Sequence, residues 1–507
     1  MDKPARMRYA PSPTGRPHIG NIRTAIYDWL YARHTGGQFI LRIEDTDRAR
    51  LVEGALENIL ESLRWLGCDW DEGPEVDGPH VPYFQSLRLH LYQKAADELI
   101  EKGWAYKCYC TSERLEEQRR AQTARKEPPR YDRLCRDLGP EERAKMEEAG
   151  TPHVIRFKMP LTGQTSFVDV LRGEITFENA VLDDHVLVKS DGFPTYQLAV
   201  VVDDHYMEVT HVLRGEEWIS STPRHILTYK ALGWEVPEHV HISLILGKDR
   251  SKLSKRHGAV DVLTYREQGY LPEALFNYLT LLGWSLDDKT EIMSREDLVK
   301  YFDITRISHT SSIFNMDKLD WMNGMYIRAL EPEDLAGRVL PFLDRGLPPS
   351  VPRPISREYL VTIVPHIQER IKKLDEIVEL TDFFFIEHLE YDPLLLVAKG
   401  LTVAASHGAL QAASDRLVGL AEWNHESLEG ALRPLAGELE VKTGQLFGIL
   451  RVATTGRTVA PPLFETMLVL GRERTMARID QAIALLQQGV DLEKGRFEAI
   501  QNEEPDK

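Results

Sequence analysis

Cysteine is scarce in this 507-residue chain: Cys68, Cys108, Cys110 and Cys135 are all there is. So small a set excludes a disulfide framework as the source of stability. Three of the four fall between 108 and 135, a clustering that suits metal binding or free thiols. No long uncharged apolar run occurs, which excludes a bilayer-spanning helix. No internal repeat or low-complexity tract occurs, which excludes a solenoid. Positive charge is not in excess either: the net charge of -17 argues against indiscriminate binding of nucleic acid, which draws on a general cationic surface. Little sequence precedes the first chemical motif at Arg8, so no targeting presequence is expected, and the cytoplasm is the expected compartment.

What is present is the composition of a globular protein, 42% apolar and 28% charged. The length exceeds one ordinary core, so three to five domains are expected. One stretch departs from the acidic average. Between Lys102 and Arg136 ten Lys/Arg stand against five Asp/Glu, enough local basic surface to neutralise phosphates. A solvated helix face is the alternative reading.

The first 70 residues alternate in the α/β manner. A strand at 7–10 enters a Pro/Gly loop, 22–31 reads as a helix, and 39–43 as a buried strand. Residues 52–66 predict an amphipathic helix with Leu56, Ile59, Leu60, Leu63 and Leu66 on one side. Strand-helix-strand with helical crossovers implies a parallel sheet with its ligand at the carboxyl ends of the strands. From 101 to 189 the pattern changes to short strands (153–157, 165–170, 174–177, 185–189), which reads as an insertion. The α/β pattern resumes at 195–202 and 209–213, and beyond about Leu263 the chain turns helical. Leu360, Ile363, Val364, Ile367, Ile371, Leu374 and Val378 recur at three- and four-residue steps and predict one long amphipathic helix. The proline-rich stretch 347–354 reads as a linker or stiff turn, and the polar tail from Glu498 as frayed.

Two motifs carry chemistry. In Arg8-Tyr9-Ala10-Pro11-Ser12-Pro13-Thr14-Gly15-Arg16-Pro17-His18-Ile19-Gly20-Asn21 the prolines end a strand and Gly15 permits positive φ. The loop delivers His18, Ile19, Gly20 and Asn21 to a helix start, where free N-H groups and a partial positive charge favour phosphate. Lys252-Leu253-Ser254-Lys255-Arg256 is a cationic loop able to close over a triphosphate and offset charge developing on it.

Together, in this order, the two resemble the "HIGH" and "KMSKS" motifs of class I aminoacyl-tRNA synthetases. The residues around the first resemble glutamyl-tRNA synthetases of the bacterial type. The last position of the first motif departs from the general pattern, Asn21 for His, so His18 alone carries the imidazole role. The resemblance implies an α/β fold: a Rossmann-type parallel-sheet catalytic domain (1–100 and 191–250), interrupted by an inserted α+β acceptor-binding domain (101–190). A KMSKS-loop and stem-contact helical domain (251–330) and an all-α anticodon-binding region of two subdomains (331–507) would follow. It further implies ATP-dependent activation of L-glutamate to glutamyl-adenylate, with Mg²⁺, and transfer to the 3′ end of tRNA(Glu) by a monomer with no membrane partner.

His18, Lys252 and Lys255 would be catalytic, and His18, Gly20, Asn21, Lys252, Ser254 and Lys255 would bind ATP. Glutamate brings two carboxylates and an ammonium. Arg8 and Arg214 suit the carboxylates, through a bidentate fork; Glu44 suits the ammonium, and Ser12 and Tyr196 add hydroxyls. The family also places glutamate contacts at positions matching Ala10 and Val200. Because this chain has Val200 where members carry Asn, no polar side-chain contact is expected there. Asp45, Asp47, Asp203 and Asp204 read as structural or capping acids rather than Mg²⁺ ligands.

Cys108, Cys110 and Cys135 with Asp137 resemble a structural zinc site, which needs four ligands. Some relatives carry Cys-x-His where this chain has Cys135-Arg136-Asp137, and Tyr131 competes for the fourth place. A metal-free remnant is the alternative. Glutaminyl enzymes are the nearest rival, but their C-terminal region is usually a β-barrel, whereas the periodicity here is helical. Gln368 is a candidate for anticodon discrimination between tRNA(Glu) and tRNA(Gln).

Overall fold

The structure, a computed structural model, describes residues 4–253 and 261–502. Ser254, Lys255 and Arg256 of the second motif lie outside the described residues, as does the end of the tail, 503–507. The chain forms two compact units, Met1–Arg266 with Pro272–Leu319 and Glu267–Leu271 with Asp320–Lys507.

In the first unit β1 (Arg6–Tyr9) leads through the proline loop to α1 (Ile19–Thr35) and then β2 (Gln38–Leu41). β1 and β2 pair in parallel from Arg6↔Gln38 to Tyr9↔Leu41, with α1 as the crossover. α1 is buried on nearly every side (Ile22, Ala25, Ile26, Tyr27, Leu30), as a helix covering a sheet inside a larger body must be. It stops at Gly36, which takes φ 66 and sends its N-H to the Ala32 and Arg33 carbonyls. α2 runs Ala55–Leu66, starting later than the predicted 52 because Gly54 precedes it at φ 75.

The chain continues through α3 (Leu89–Glu101), β3 (Ala105–Cys108), α4 (Ser112–Ala124), α5 (Pro140–Glu148), β4 (Val154–Phe157), β5 (Gln164–Asp169), β6 (Gly173–Glu178) and β7 (Val186–Val188). β3, β4 and β7 make a three-stranded antiparallel sheet. The hairpin β5–β6, grouped by sequence with the insertion, instead joins a different sheet. After α6 (Tyr196–Tyr206) come β8 (His211–Gly215), α7 (Thr222–Leu232) and β9 (Glu238–Ile242), giving the order β6-β5-β9-β8. β8 and β9 are parallel, and β5 meets β9 in parallel at Asp169↔His239. The Thr210 N-H donates to the Arg6 carbonyl at 3.1 Å, so the start of β8 lies against β1. Of the segment 195–202, Thr195 is the extended N-cap and the rest is helical, with Tyr196 the first residue of α6.

The second unit is helical, with no strand among its described residues. Leu410, Leu432, Leu450, Met467 and Ile479 form its buried core. The single long helix expected across 360–378 is not formed. The segment breaks into Arg357–Ile363, a 3₁₀ turn at Val364–His366, another at Leu374–Glu376 and a short helix at Ile377–Thr381. Pro365 lacks an N-H and its ring opposes the carbonyl one turn back, so the α-helix cannot continue through it. The apolar positions up to Leu374 are buried nonetheless. Among the described residues no helix is long and apolar enough to cross a membrane.

Candidate active site

A cavity of about 830 Å³ opens in the first unit, at the carboxyl ends of β1 and β8. Its walls bring together Arg8, Ala10, Ser12, His18, Gly20, Asn21, Glu44, Tyr196, Arg214 and Lys252. The loop after β1 is fixed to the chain after β2: the Glu44 N-H donates to the Pro11 carbonyl at 3.0 Å, and the Val52 N-H to that of Pro13 at 3.0 Å.

His18 caps α1, and its Nδ1 accepts the Gly20 N-H at 3.1 Å. A neutral imidazole accepting at Nδ1 carries its proton on Nε2 and is a donor there. Burial lowers the His18 pKa, and Lys252 adds to this while a backbone hydrogen bond with Leu253 opposes it. His18 also forms a bridge with Asp261. Through Lys252 and Leu253, the described part of the second motif, more than 200 residues away in sequence, meets the first at His18. Lys252 is exposed, with Glu217 at 3.7 Å.

Arg8 was expected to offer a carboxylate fork. Instead its Nε-H donates to Asp204 at 3.1 Å and its Nη1 to the Leu213 carbonyl at 3.4 Å. Asp204 also accepts from Arg42 at 2.6 Å, while Asp203 accepts from Arg88 (2.7 Å), Gln85 (2.8 Å) and Tyr92 (2.8 Å). Both aspartates are thus structural. Asp45 is likewise occupied, by Ser86. Glu44 accepts from Arg42 at 3.2 Å; burial raises its pKa, although Arg42 and Arg8 pull it down, and an incoming ammonium would relieve that penalty. Ser12 donates its hydroxyl to the Glu44 carbonyl at 2.6 Å, so what it retains for a ligand is an acceptor, suited to an ammonium rather than a carboxylate. Val200 is buried with Val201 and Tyr229 in an apolar cluster.

Arg214 is buried and bonded to Tyr196, Thr222, His225 and His241. The neighbouring acids are engaged elsewhere, Glu216 with Arg172 at 2.6 Å and Glu217 near Lys252. Sequence reasoning missed Thr222, His225, His241 and also Asp28. Asp28 lines the cavity fully buried, with neither carboxylate oxygen hydrogen-bonded among the described residues. Burial holds its pKa well above the usual carboxylate value, despite Arg8. The His239/His241 alternation on one strand was the available hint. Nothing local marked the others; only the tertiary fold brings Thr222 and His225 to Arg214 and Asp28 to the cavity.

Away from the cavity, the sulfurs of Cys108, Cys110 and Cys135 lie within 4.8 Å of one another, with Cys110 and Cys135 at 3.6 Å. Asp137 is not with them. Its carboxylate is exposed and faces Lys158 at 3.3 Å, because the intervening Arg136 is anchored on buried Asp184 at 2.9 Å. Tyr131 takes the place instead: its Oη is 3.2 Å from Cys108 Sγ and 3.5 Å from Cys110 Sγ. The basic stretch is more neutralised than its composition suggests. Arg114 pairs with Asp132, Lys107 with Glu147, and Arg133 and Arg136 with Asp184. Gln368 donates its amide NH₂ to the Ile327 and Leu330 carbonyls, both at 2.8 Å.

Residues 4–321 match the family of tRNA synthetases class I (E and Q), catalytic domain, and residues 334–483 match an anticodon binding domain. A glutamate--tRNA ligase of Dehalococcoides mccartyi is 57% identical over 96% of this chain and 98% of its own length. One of Roseiflexus castenholzii is 49% identical over 95% and 97%. The crystal structure of a glutamate tRNA ligase from Elizabethkingia meningosepticum in complex with its amino acid superposes with a TM-score of 0.87 at 36% identity, covering 96% of this chain and all of that one. A catalytic-domain match over most of the chain, an anticodon-domain match in its helical C-terminal unit and relatives matched nearly end to end place the chain in the class I aminoacyl-tRNA synthetases, among the glutamate--tRNA ligases.

Proposed function

We propose that Arg214, Arg8, Tyr196, Glu44 and Ser12 hold L-glutamate in this cavity, and that His18, Lys252 and Lys255 serve the phosphates of Mg-ATP. One observation carries the reading. Arg214, a buried guanidinium without a carboxylate partner among the described residues, the part-buried Glu44 carboxylate and the His18 imidazole at a helix start line a single cavity. Arg214 and Tyr196 take the side-chain carboxylate, while Glu44 and the Ser12 oxygen take the ammonium. The remaining Nη2 of Arg8 faces the α-carboxylate, which attacks the α-phosphorus of ATP in line. A carboxylate-phosphorus bond forms, and the bond to the leaving pyrophosphate breaks. Positioning and charge stabilisation suffice for this step: His18 Nε2-H and the two lysines offset the charge moving onto the leaving group. The terminal ribose 2′-hydroxyl of tRNA(Glu) then attacks the acyl carbon and AMP departs. The insertion, with Arg119, Arg120, Arg125, Lys126 and Arg130 on or beside α4, would meet the acceptor end, and the helical unit the anticodon. We read the enzyme as a cytoplasmic monomer.

The three thiols fit a structural zinc ion. The 3.6 Å between the Cys110 and Cys135 sulfurs is close to the ~3.8 Å edge of a tetrahedron with Zn–S bonds of about 2.3 Å, and Tyr131 rather than Asp137 would complete the set. Zinc there would staple β3 to the loop that follows α4. Metal analysis of purified protein is expected to give one zinc per chain, lost in Cys110→Ser and kept in Asp137→Ala; retention in the first or loss in the second refutes this ligand set.

Glutamate-dependent ATP-pyrophosphate exchange, run with and without tRNA(Glu), tests the main reading. Absence of exchange in both arms sinks it. Arg214→Gln is expected to raise KM for glutamate by at least about tenfold, the loss typical of a charge-assisted hydrogen bond. Charging of purified tRNA(Gln) measures the breadth of tRNA choice.

A further inference from the structure

Arg214 is held more elaborately than a carboxylate contact requires. A guanidinium has five N-H groups, and here four are spent on neutral acceptors. Nε-H reaches His241 Nε2 at 3.1 Å, Nη1 reaches Tyr196 Oη at 3.1 Å and His225 Nδ1 at 3.3 Å, and Nη2 reaches Thr222 Oγ1 at 2.8 Å. An imidazole nitrogen accepts only when it carries no proton, so each histidine is confined to one neutral tautomer.

Those tautomers are set from behind. Asp169 Oδ2 lies 2.7 Å from His241 Nδ1 and 3.0 Å from the His241 backbone nitrogen, and its Oδ1 accepts the Leu171 and Arg172 N-H groups. Nδ1 of His241 therefore carries the proton and Nε2 the lone pair. Gln197 Oε1, 2.7 Å from His225 Nε2, does the same for the second ring. The side chains of His241 and Asp169 are both fully buried. Burial lowers the pKa of both histidines, which keeps the rings neutral.

We propose that Asp169 and His241 are positioning residues for recognition of the substrate side chain, with Gln197 and His225 as a parallel brace. They aim Arg214 without neutralising it. A carboxylate set directly against Arg214 would orient it equally well but would compete with the substrate for its charge; an imposed imidazole keeps the acid one ring away. What remains for the ligand is the last Nη2 N-H and the hydroxyl proton of Tyr196, whose oxygen already accepts from Arg214. Two donors and no acceptor suit a carboxylate and reject the NH₂ of a carboxamide. The fork once expected of Arg214 becomes a shared Arg-Tyr pair. The inference rests on the assignment of Arg214 to glutamate made above.

Steady-state aminoacylation of tRNA(Glu) by the full chain tests it. His241→Leu removes the acceptor; His241→Gln returns an oxygen close to the Nε2 position. The Leu variant is expected to raise KM for glutamate about tenfold or more while KM for ATP stays within about twofold, with the Gln variant between it and the parent. An unchanged glutamate KM in the Leu variant, equal rises for both substrates, or a Gln variant no better than Leu overturns the proposal. Arg214→Gln separates the two readings: if it leaves glutamate KM unchanged, the assignment of Arg214 fails, whereas a rise there without one in His241→Leu removes only the positioning role. Should the Leu variant not fold, ¹⁵N-histidine spectra of the parent protein, with His241 assigned through the Gln variant, decide. A neutral Nδ1-H ring between pH 6 and 8 is expected, and an Nε2-H ring or an imidazolium overturns the idea.

Discussion

Asp204 shows how much a single side chain carries in this cavity floor. It joins Arg8 and Arg42, both buried, through bonds of 3.1 and 2.6 Å, and Arg8 in turn lines the cavity. Removing one partner of a buried set leaves the others charged and desolvated, which costs about 3–5 kcal/mol. Asp204→Ala is therefore expected to lower the urea unfolding free energy by that amount. Glu438→Ala, which breaks the exposed Arg416–Glu438 pair, is expected to cost under about 1 kcal/mol. Equal losses in the two variants would contradict this account. The first motif made His18 and Arg8 legible from sequence, because loop chemistry and helix capping are local, whereas Glu44 and Arg214 were named from the resemblance and from the charges a glutamate carries. Asp169 and His241 were not legible, since 72 residues separate them and only the β5–β9 pairing brings them together. Spacing and resemblance put Asp137 first, with Tyr131 as the alternative; the anchoring of Arg136 on Asp184, a tertiary fact, turns Asp137 away from the thiols and leaves Tyr131 beside them.

At the scale of elements, helix ends obeyed local rules and helix continuity did not always. The segment Leu463–Asn502 contains Gly471 at φ 78 and ψ 165, a backbone region essentially reserved for glycine. A Cβ there would touch nothing within 4 Å, so any penalty for adding one is conformational. Gly471→Ala is expected to destabilise the protein by about 1–3 kcal/mol, measured by denaturant unfolding; a neutral result would mean the kink relaxes freely. The break at Pro365 has the same origin in backbone chemistry. It was missed because apolar periodicity reports which positions are buried, not whether the backbone between them is continuous. The strands and crossovers of the first seventy residues were legible for the converse reason: each buried run is bounded by its own glycine or proline. The placement of β5–β6 was not, because a hairpin's turn says nothing about which sheet its edge will join.

For the molecule as a whole, buried histidines set an acid limit. Burial pushes His185 and His239 down to about 3, against about 6.5 in the unfolded chain. Between those values the unfolded state binds protons that the native state refuses, so stability is full above pH 6.5 and falls as the pH drops. Each ring contributes about 1.4 kcal/mol per pH unit in that window, and the pair about 2.7. Urea midpoints are expected to decline from pH 6.5 to 5, above the range of ordinary carboxylates, and the decline should be shallower in a folded His185→Phe variant. A midpoint flat across that range would refute it.

The Arg8–Asp204–Arg42 cluster also has a bearing on synthesis. Its members are 196 and 162 residues apart, and a ribosome adding roughly 5–20 residues per second needs roughly 8–40 s to supply the acid after the bases. During that interval the nascent amino-terminal layer holds two guanidiniums that cannot be buried alone. The cavity floor therefore closes only after the inserted segment and α6 have emerged, so the order of translation itself delays assembly of the cavity until the chain that completes it exists.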